Sequence, residues 1–285
     1  MMKKMRIAIS TCPNDTFAFH GLLSGASSSY GLEVDIELLD IQQLNSKLMQ
    51  GNYDIAKVSF HAALTRSDQL WVLPVGSALG FGVGPLLLAG KPQDVPTDVT
   101  QLTLCPGPET TATMLFKLFY PQTTRVEHVV FSEIMPRLKS GQCDFGVCIH
   151  EGRFTYQAEG LYSVCDLGTM WEFDTRLPLP LGGLVVNRQL PSDVICHAIQ
   201  AVRASLEYAV ENPELALPSM RKYAQEFDDD VLMQHVSLYV NAYTRQLGPE
   251  GAASLRVLSE KAKNVGLIPA TAADLVVFDE SENNL

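Results

Sequence analysis

Over its first 150 residues the chain alternates short apolar runs with turn formers and helix-patterned stretches, and this alternation limits the fold more than any other feature. Residues 5 to 10 read as an apolar strand that ends where Cys12, Pro13, Asn14 and Asp15 supply turn formers, with a short helix from Thr16. Residues 34 to 39 alternate as a strand, 41 to 50 suit a helix, and 53 to 58 form another strand before Ser59, Phe60 and His61. Strands that keep returning after helices call for a mainly parallel sheet with helices on its faces, where ligands collect beyond the C-terminal strand ends. With 46% of its 285 residues hydrophobic, the chain has the apolar surface for a substantial core.

The middle of the chain repeats this grammar. Residues 70 to 75, 85 to 89 and 102 to 104 are strand candidates, separated by the Gly76 to Gly84 and Pro92 to Pro96 stretches. A helix is predicted over 110 to 120, stopped by Pro121, then a strand at 126 to 131, a helix at 133 to 139 and a strand at 144 to 149. The Pro-rich run from Leu177 to Gly183 reads as a crossover into a strand at 184 to 186, after which helices take over from Ser192, across 229 to 245 and across 252 to 263.

Several classes fall away on composition. The net charge of −11 argues against a nucleic-acid binder, which needs a basic face. The opening residues lack the apolar length of a secretory h-region, and no later run reaches membrane-spanning length. Cys12, Cys105, Cys143, Cys148, Cys165 and Cys196 form no Cys-x-x-Cys pair, so a reduced cytoplasmic protein without a bound metal is expected. Gly80 to Gly84 precedes a strand instead of following one, which removes the dinucleotide-loop reading.

Candidate chemistry gathers at strand ends. His150 follows an apolar strand and precedes a turn at Glu151-Gly152-Arg153; its imidazole is either a general base or a stitch between strand end and loop. Pairing of His150 with Asp15 or Glu151 resembles part of a serine-hydrolase arrangement, but no Gly-x-Ser-x-Gly elbow accompanies it. His61 faces the same cleft or merely packs with its ring half exposed, and Ser59 meets a ligand or caps the following helix. Thr110 and Thr111 open a helix whose free N–H groups suit a carboxylate, or serve as an ordinary cap. Asn14 and Asp15 occupy a comparable junction, where Asp15 accepts a ligand hydroxyl or caps. Arg153 pairs with a structural or a ligand carboxylate. Trp71, Trp171, Phe81, Phe154 and Tyr156 form an aromatic pocket or ordinary core, with Phe154 and Tyr156 sharing one face if the segment is a strand.

Five motifs taken together are more specific than any of these: Cys12-Pro13-Asn14-Asp15-Thr16-Phe17, Ser59-Phe60-His61-Ala62-Ala63, Gly107-Pro108-Glu109-Thr110-Thr111-Ala112, Ile149-His150-Glu151-Gly152-Arg153-Phe154-Thr155-Tyr156 and Leu179-Pro180-Leu181-Gly182-Gly183. In this order, over nearly the whole chain, they resemble the 1,4-dihydroxy-6-naphthoate synthase family of menaquinone biosynthesis. The resemblance implies an α/β, two-lobed type-2 periplasmic-binding-protein-like fold with a central ligand cleft. It implies a discontinuous first domain of residues 1–95 and 184–285 and a second of 96–183, with crossovers near 90–100 and 178–187. It further implies a lyase of the futalosine pathway that converts cyclic dehypoxanthinylfutalosine to 1,4-dihydroxy-6-naphthoate, releasing a carbon fragment without a metal or organic cofactor. His150 matches the general base, Ser59, Thr110 and Thr111 match residues that hold ligand oxygens, and Asn14, Asp15, His61, Arg153 and Tyr156 are further substrate-binding candidates. A homo-oligomer is compatible with this reading. Chorismate dehydratase is the alternative enzyme, and a non-catalytic binding protein of the same fold is the alternative class.

Overall fold

The computed structural model describes residues 4–48, 50–150, 152–224 and 228–281; Glu151, one of the candidates beside His150, lies outside them. The chain begins with β1 (Met5–Ser10), α1 (Pro13–Ala18), α2 (His20–Leu23), β2 (Val34–Leu39), α3 (Ile41–Leu48), β3 (Ile55–Ser59), α4 (Phe60–Leu64), β4 (Leu70–Val72) and β5 (Ala78–Gly80). A second lobe follows: β6 (Leu86–Ala89), β7 (Leu102–Cys105), α5 (Thr111–Phe119), β8 (Arg125–His128), α6 (Phe131–Lys139), β9 (Phe145–Cys148), α7 (Gly152–Thr155), β10 (Tyr162–Asp166) and α8 (Leu167–Thr175). The chain returns through β11 (Leu179–Asn187) and finishes with α9 (Ser192–Glu211), α10 (Pro213–Tyr223), α11 (Asp229–Tyr239), α12 (Ala242–Arg245) and α13 (Gly248–Asn264).

Among the described residues these strands form two sheets, ordered β2-β1-β3-β11-β4 with β5 on β11, and β10-β6-β9-β7-β8. Each has a parallel half, β2-β1-β3 and β9-β7-β8. The strands that follow the lobe crossings break the pattern: β11 runs antiparallel to β3, and β6 antiparallel to β9. Each strand entered from the other lobe thus runs against the parallel strands of its sheet, so the sheets are mixed and not mainly parallel.

The crossings also move. Leu86–Ala89, expected in the first domain, belongs to the second sheet, so the chain leaves the first lobe between β5 and β6, not near 90–100. It returns between α8 and β11, and the expected Pro-fixed crossover is itself strand: Leu179 and Pro180 already pair with β5, through a bulge before Gly182. The outward crossing lies so close to the start of α8 that a Cβ on Gly84 would stand 2.2 Å from Gly168 Cα, which requires glycine there. Residues 152 to 155 are helical, so the strand parity proposed for Phe154 and Tyr156 does not hold.

Alternation explains how the first sheet is covered. In β1, Ile7 and Ile9 pack with Ile199, Val202 and Leu206 of α9, whereas Ala8 faces the opposite layer with Val58 and Phe60. That opposite layer continues without a break into the second lobe through Leu87, Phe116, Phe145 and Trp171. The shared apolar layer holds the two lobes together and leaves the strand ends above it to form a cavity.

Candidate active site

The C-terminal ends of β1, β3 and β9, the middle of β11 and the start of α5 meet around one cavity, to which α11 adds a wall. Its first-lobe side is a buried polar frame. Lys57 Nζ lies 2.5 Å from Asp15 Oδ1 and donates to the Gly76 carbonyl at 2.9 Å. Asp15 Oδ1 also accepts from Asn14 Nδ2 at 3.0 Å, while Oδ2 takes the Ser10 hydroxyl at 2.6 Å and the Ser10 amide at 3.3 Å. A carboxylate offers about four acceptor sites, so Asp15 is filled from within the protein. It lines the cavity without an acceptor left for a ligand hydroxyl.

Ser59 occupies the N-cap position of α4 yet its side chain makes no cap bond. Asn45 holds it on both sides, with Nδ2 3.1 Å from Ser59 Oγ and Oδ1 accepting from the Ser59 amide at 2.9 Å. The hydroxyl is thereby an acceptor toward Asn45, and its own proton is free for the cavity.

On the second-lobe side, Thr110 is the N-cap of α5, its Oγ1 accepting from the Thr113 amide at 3.2 Å and donating to the Gly107 carbonyl at 3.0 Å. Thr111 Oγ1 donates across to the Leu181 carbonyl of β11 at 2.6 Å, tying the lobes. The N–H groups of Thr111 and Ala112 begin the helix with no carbonyl one turn back, and both residues line the cavity. Helix dipole and open amides make this a seat for an anionic oxygen.

His150 stands between these walls, half-buried, with φ of 57°. A non-glycine residue in this left-handed region costs of order 1–3 kcal/mol and persists where the surroundings impose it. They do so here: Cys12 Sγ is 3.3 Å from Nδ1, and Phe131 meets the ring edge-on at 4.7 Å between centroids. The imidazole is thus held over the cavity from two sides.

Three expected residues lie elsewhere. His61 packs between α4 and α5, its Nδ1 donating to the Thr110 carbonyl at 3.3 Å, and burial pushes its pKa down to about 4 against the partial support of that carbonyl. Arg153 spans Asp166 at 2.7 Å and the Gly84 carbonyl at 2.5 Å, bracing the outward crossing; its partner is structural. Tyr156 packs beside Leu86, Leu88 and Leu161 below the second sheet. No aromatic pocket forms from the residues proposed for one: Trp171 is core, Trp71 packs on Phe278 under the Arg188 guanidinium, and Phe81 is half exposed.

The structure adds Lys57 and His235. Lys57 is the lone charge inside the fully buried strand Ile55–Ser59, a signal that was present in the sequence. His235 shares the buried stripe of α11 with Leu232, Val236 and Tyr239. Burial, with the neighbouring His150 second, holds the His235 pKa well below the usual histidine range. Among the described residues no group of three or more His, Cys, Asp or Glu side chains is placed to hold a metal ion, and no helix is long and apolar enough to cross a membrane.

Two α/β lobes joined by crossing segments, with a ligand-sized site at their strand ends, define a periplasmic-binding-protein-like fold. A Candida albicans protein described as having the generic periplasmic binding protein fold superposes with a TM-score of 0.66 at 13% identity, covering 94% of this chain and 92% of that one. More specifically, residues 5–264 match the model of the menaquinone biosynthesis family, and the chain belongs to that family. It is 38% identical to a 1,4-dihydroxy-6-naphthoate synthase of Streptomyces coelicolor, over 96% of this chain and 98% of that protein. It is 39% identical to a Thermus thermophilus protein of the same name, over 97% of this chain and all of that one. An Archaeoglobus fulgidus crystal structure matches with a TM-score of 0.88 at 32% identity, over 93% and 98% of the two chains. The chain is therefore an enzyme of menaquinone biosynthesis, as the motifs led one to expect.

Proposed function

We propose that this chain is a cytoplasmic 1,4-dihydroxy-6-naphthoate synthase, a carbon–carbon lyase acting on cyclic dehypoxanthinylfutalosine. The observation that carries the reading is the placement of His150: a doubly braced imidazole on a left-handed backbone, facing the open amides of α5 across one cavity. A ligand oxygen seated on Thr111 and Ala112 presents its neighbouring carbon toward that ring. His150 in its neutral form takes the proton from the carbon beside the ketone, and the electron pair moves onto the ketone oxygen as the fragment-releasing sequence begins. Ser59 supplies a further donor to substrate oxygens. Base catalysis contributes roughly 10²–10⁴-fold, with oriented donors supplying charge stabilisation beside it. Asn14 and Asp15 serve this chemistry by shaping the first-lobe wall.

Parallel incubation of the purified protein with cyclic dehypoxanthinylfutalosine and with chorismate, followed by product mass and ultraviolet spectrum, tests the reading. Naphthoate formed from the first compound and unchanged chorismate support it. Consumption of chorismate makes the chain a dehydratase, and binding of the cyclic compound without turnover makes it a binding protein.

A further inference from the structure

His235 Nδ1 is among the few buried side-chain polar atoms of the described residues with no hydrogen-bond partner, and its residue lines the cavity with 1% of its surface exposed. The surrounding network fixes what that nitrogen offers. Asp15 Oδ1, already ion-paired with Lys57, takes donors only, so the group Asn14 turns toward it at 3.0 Å is the Nδ2 amide. Asn14 Oδ1 then faces His235 Nε2 at 3.1 Å and requires a proton there. One proton on the neutral ring leaves Nδ1 with a lone pair and no donor. Tyr239 packs on the ring at 4.5 Å, Phe154 meets it edge-on at 6.4 Å, and the His150 ring lies nearly parallel at 6.3 Å. Buried acceptors are nearly always satisfied, and an exception beside a ligand cavity points to the ligand.

We propose that His235 is a second substrate-contacting imidazole, its Nδ1 accepting a hydrogen bond from a ligand hydroxyl while Nε2 is held by Asn14. The chain Lys57, Asp15, Asn14, His235 presets this acceptor before the ligand arrives. The inference rests on the function proposed above and names a contact within that site.

Two substitutions separate the two nitrogens. His235→Gln keeps a donor near the Nε2 position and removes the Nδ1 acceptor; His235→Asn keeps an acceptor near Nδ1 and removes the link to Asn14. With cyclic dehypoxanthinylfutalosine as the probe, His235→Gln is expected to raise KM about 10-fold with kcat little changed, and His235→Asn to restore most of that KM. Nitrogen-15 spectra of histidine-labelled His150→Asn protein, which retains His235, should show the His235 Nδ1 resonance moving upfield on addition of the same compound. An unchanged KM in His235→Gln, or an unmoved Nδ1 resonance in protein saturated with the compound, overturns the contact while the enzyme reading stands. Wild-type protein that leaves the compound untouched overturns the reading of function, and the contact with it.

Discussion

The two walls of the cavity are built on opposite rules. On the first-lobe side Asp15 is filled by Lys57, Asn14 and Ser10, and Lys57 spends a further proton on the Gly76 carbonyl. On the second-lobe side His150 holds a left-handed backbone and the first amides of α5 stay open. A saturated network keeps its shape but has little left to offer a ligand, whereas an unsatisfied or strained group costs stability and remains available. The first wall is largely a frame, left open at the Ser59 hydroxyl and at His235 Nδ1, and the second carries the proposed chemistry. Substitutions should divide the same way, between melting behaviour and turnover.

The largest expected effect breaks the comparison if it fails. His150→Asn removes the proposed base while placing a residue that tolerates the left-handed region, so kcat should fall by roughly 10²–10⁴-fold with the melting temperature held. Turnover and calorimetric binding measured together are the check, and near-normal turnover removes the general-base role. Lys57→Met is the opposite case. It strands the Asp15 carboxylate in a buried setting and should cost about 3–5 kcal/mol in urea unfolding. Adding Asp15→Asn should recover part of that loss, and equal stability of the single and double variants would contradict the frame.

Most of the architecture was legible because hydrophobic period and turn chemistry are local. Strand ends carried the motifs, and Thr110 as the cap of α5 and His150 beyond β9 stand where the pattern put them. What escaped depends on contacts distant along the chain. Leu86–Ala89 reads equally well as a strand of either sheet, and only its pairing with β9 and β10 decides. His61 and His150 both follow strands, but the close packing of α4 against α5 buries one ring while Cys12 and Phe131 hold the other over the cavity. His235 comes from a helix more than two hundred residues beyond Asn14, with no motif around it.

His61 sharpens the contrast through pH. Its folded pKa of about 4 lies below the unfolded value near 6.5, so the unfolded chain binds more protons between those limits and stability rises with pH across them. As pH falls from 6.5 toward 4, the fold should lose up to about 3 kcal/mol from this group. Above 6.5 the group contributes no slope. His20 and His235, also lowered by burial, act with the same sign. Urea midpoints at pH 7 and pH 5 for wild type and His61→Gln measure this, and an unchanged slope in the variant would remove His61 as a source.

The smallest expected effects come from neighbouring threonines whose hydroxyls do different work. Thr110 Oγ1 is engaged with the Thr113 amide and the Gly107 carbonyl, so Thr110→Ala should cost about 0.5–2 kcal/mol as a lost cap and leave KM little changed. Thr111 Oγ1 donates to Leu181 of the other lobe and accepts from the His61 amide at 3.4 Å. Thr111→Ala should therefore cost about 1 kcal/mol in unfolding and also raise KM, because the tie that sets the lobe spacing at the anion seat is gone. Thermal melts beside Michaelis kinetics distinguish the pair. If both variants shift KM alike, the Thr110 hydroxyl leaves its cap when ligand arrives, and the second wall then opens further on binding than the unliganded hydrogen bonds indicate.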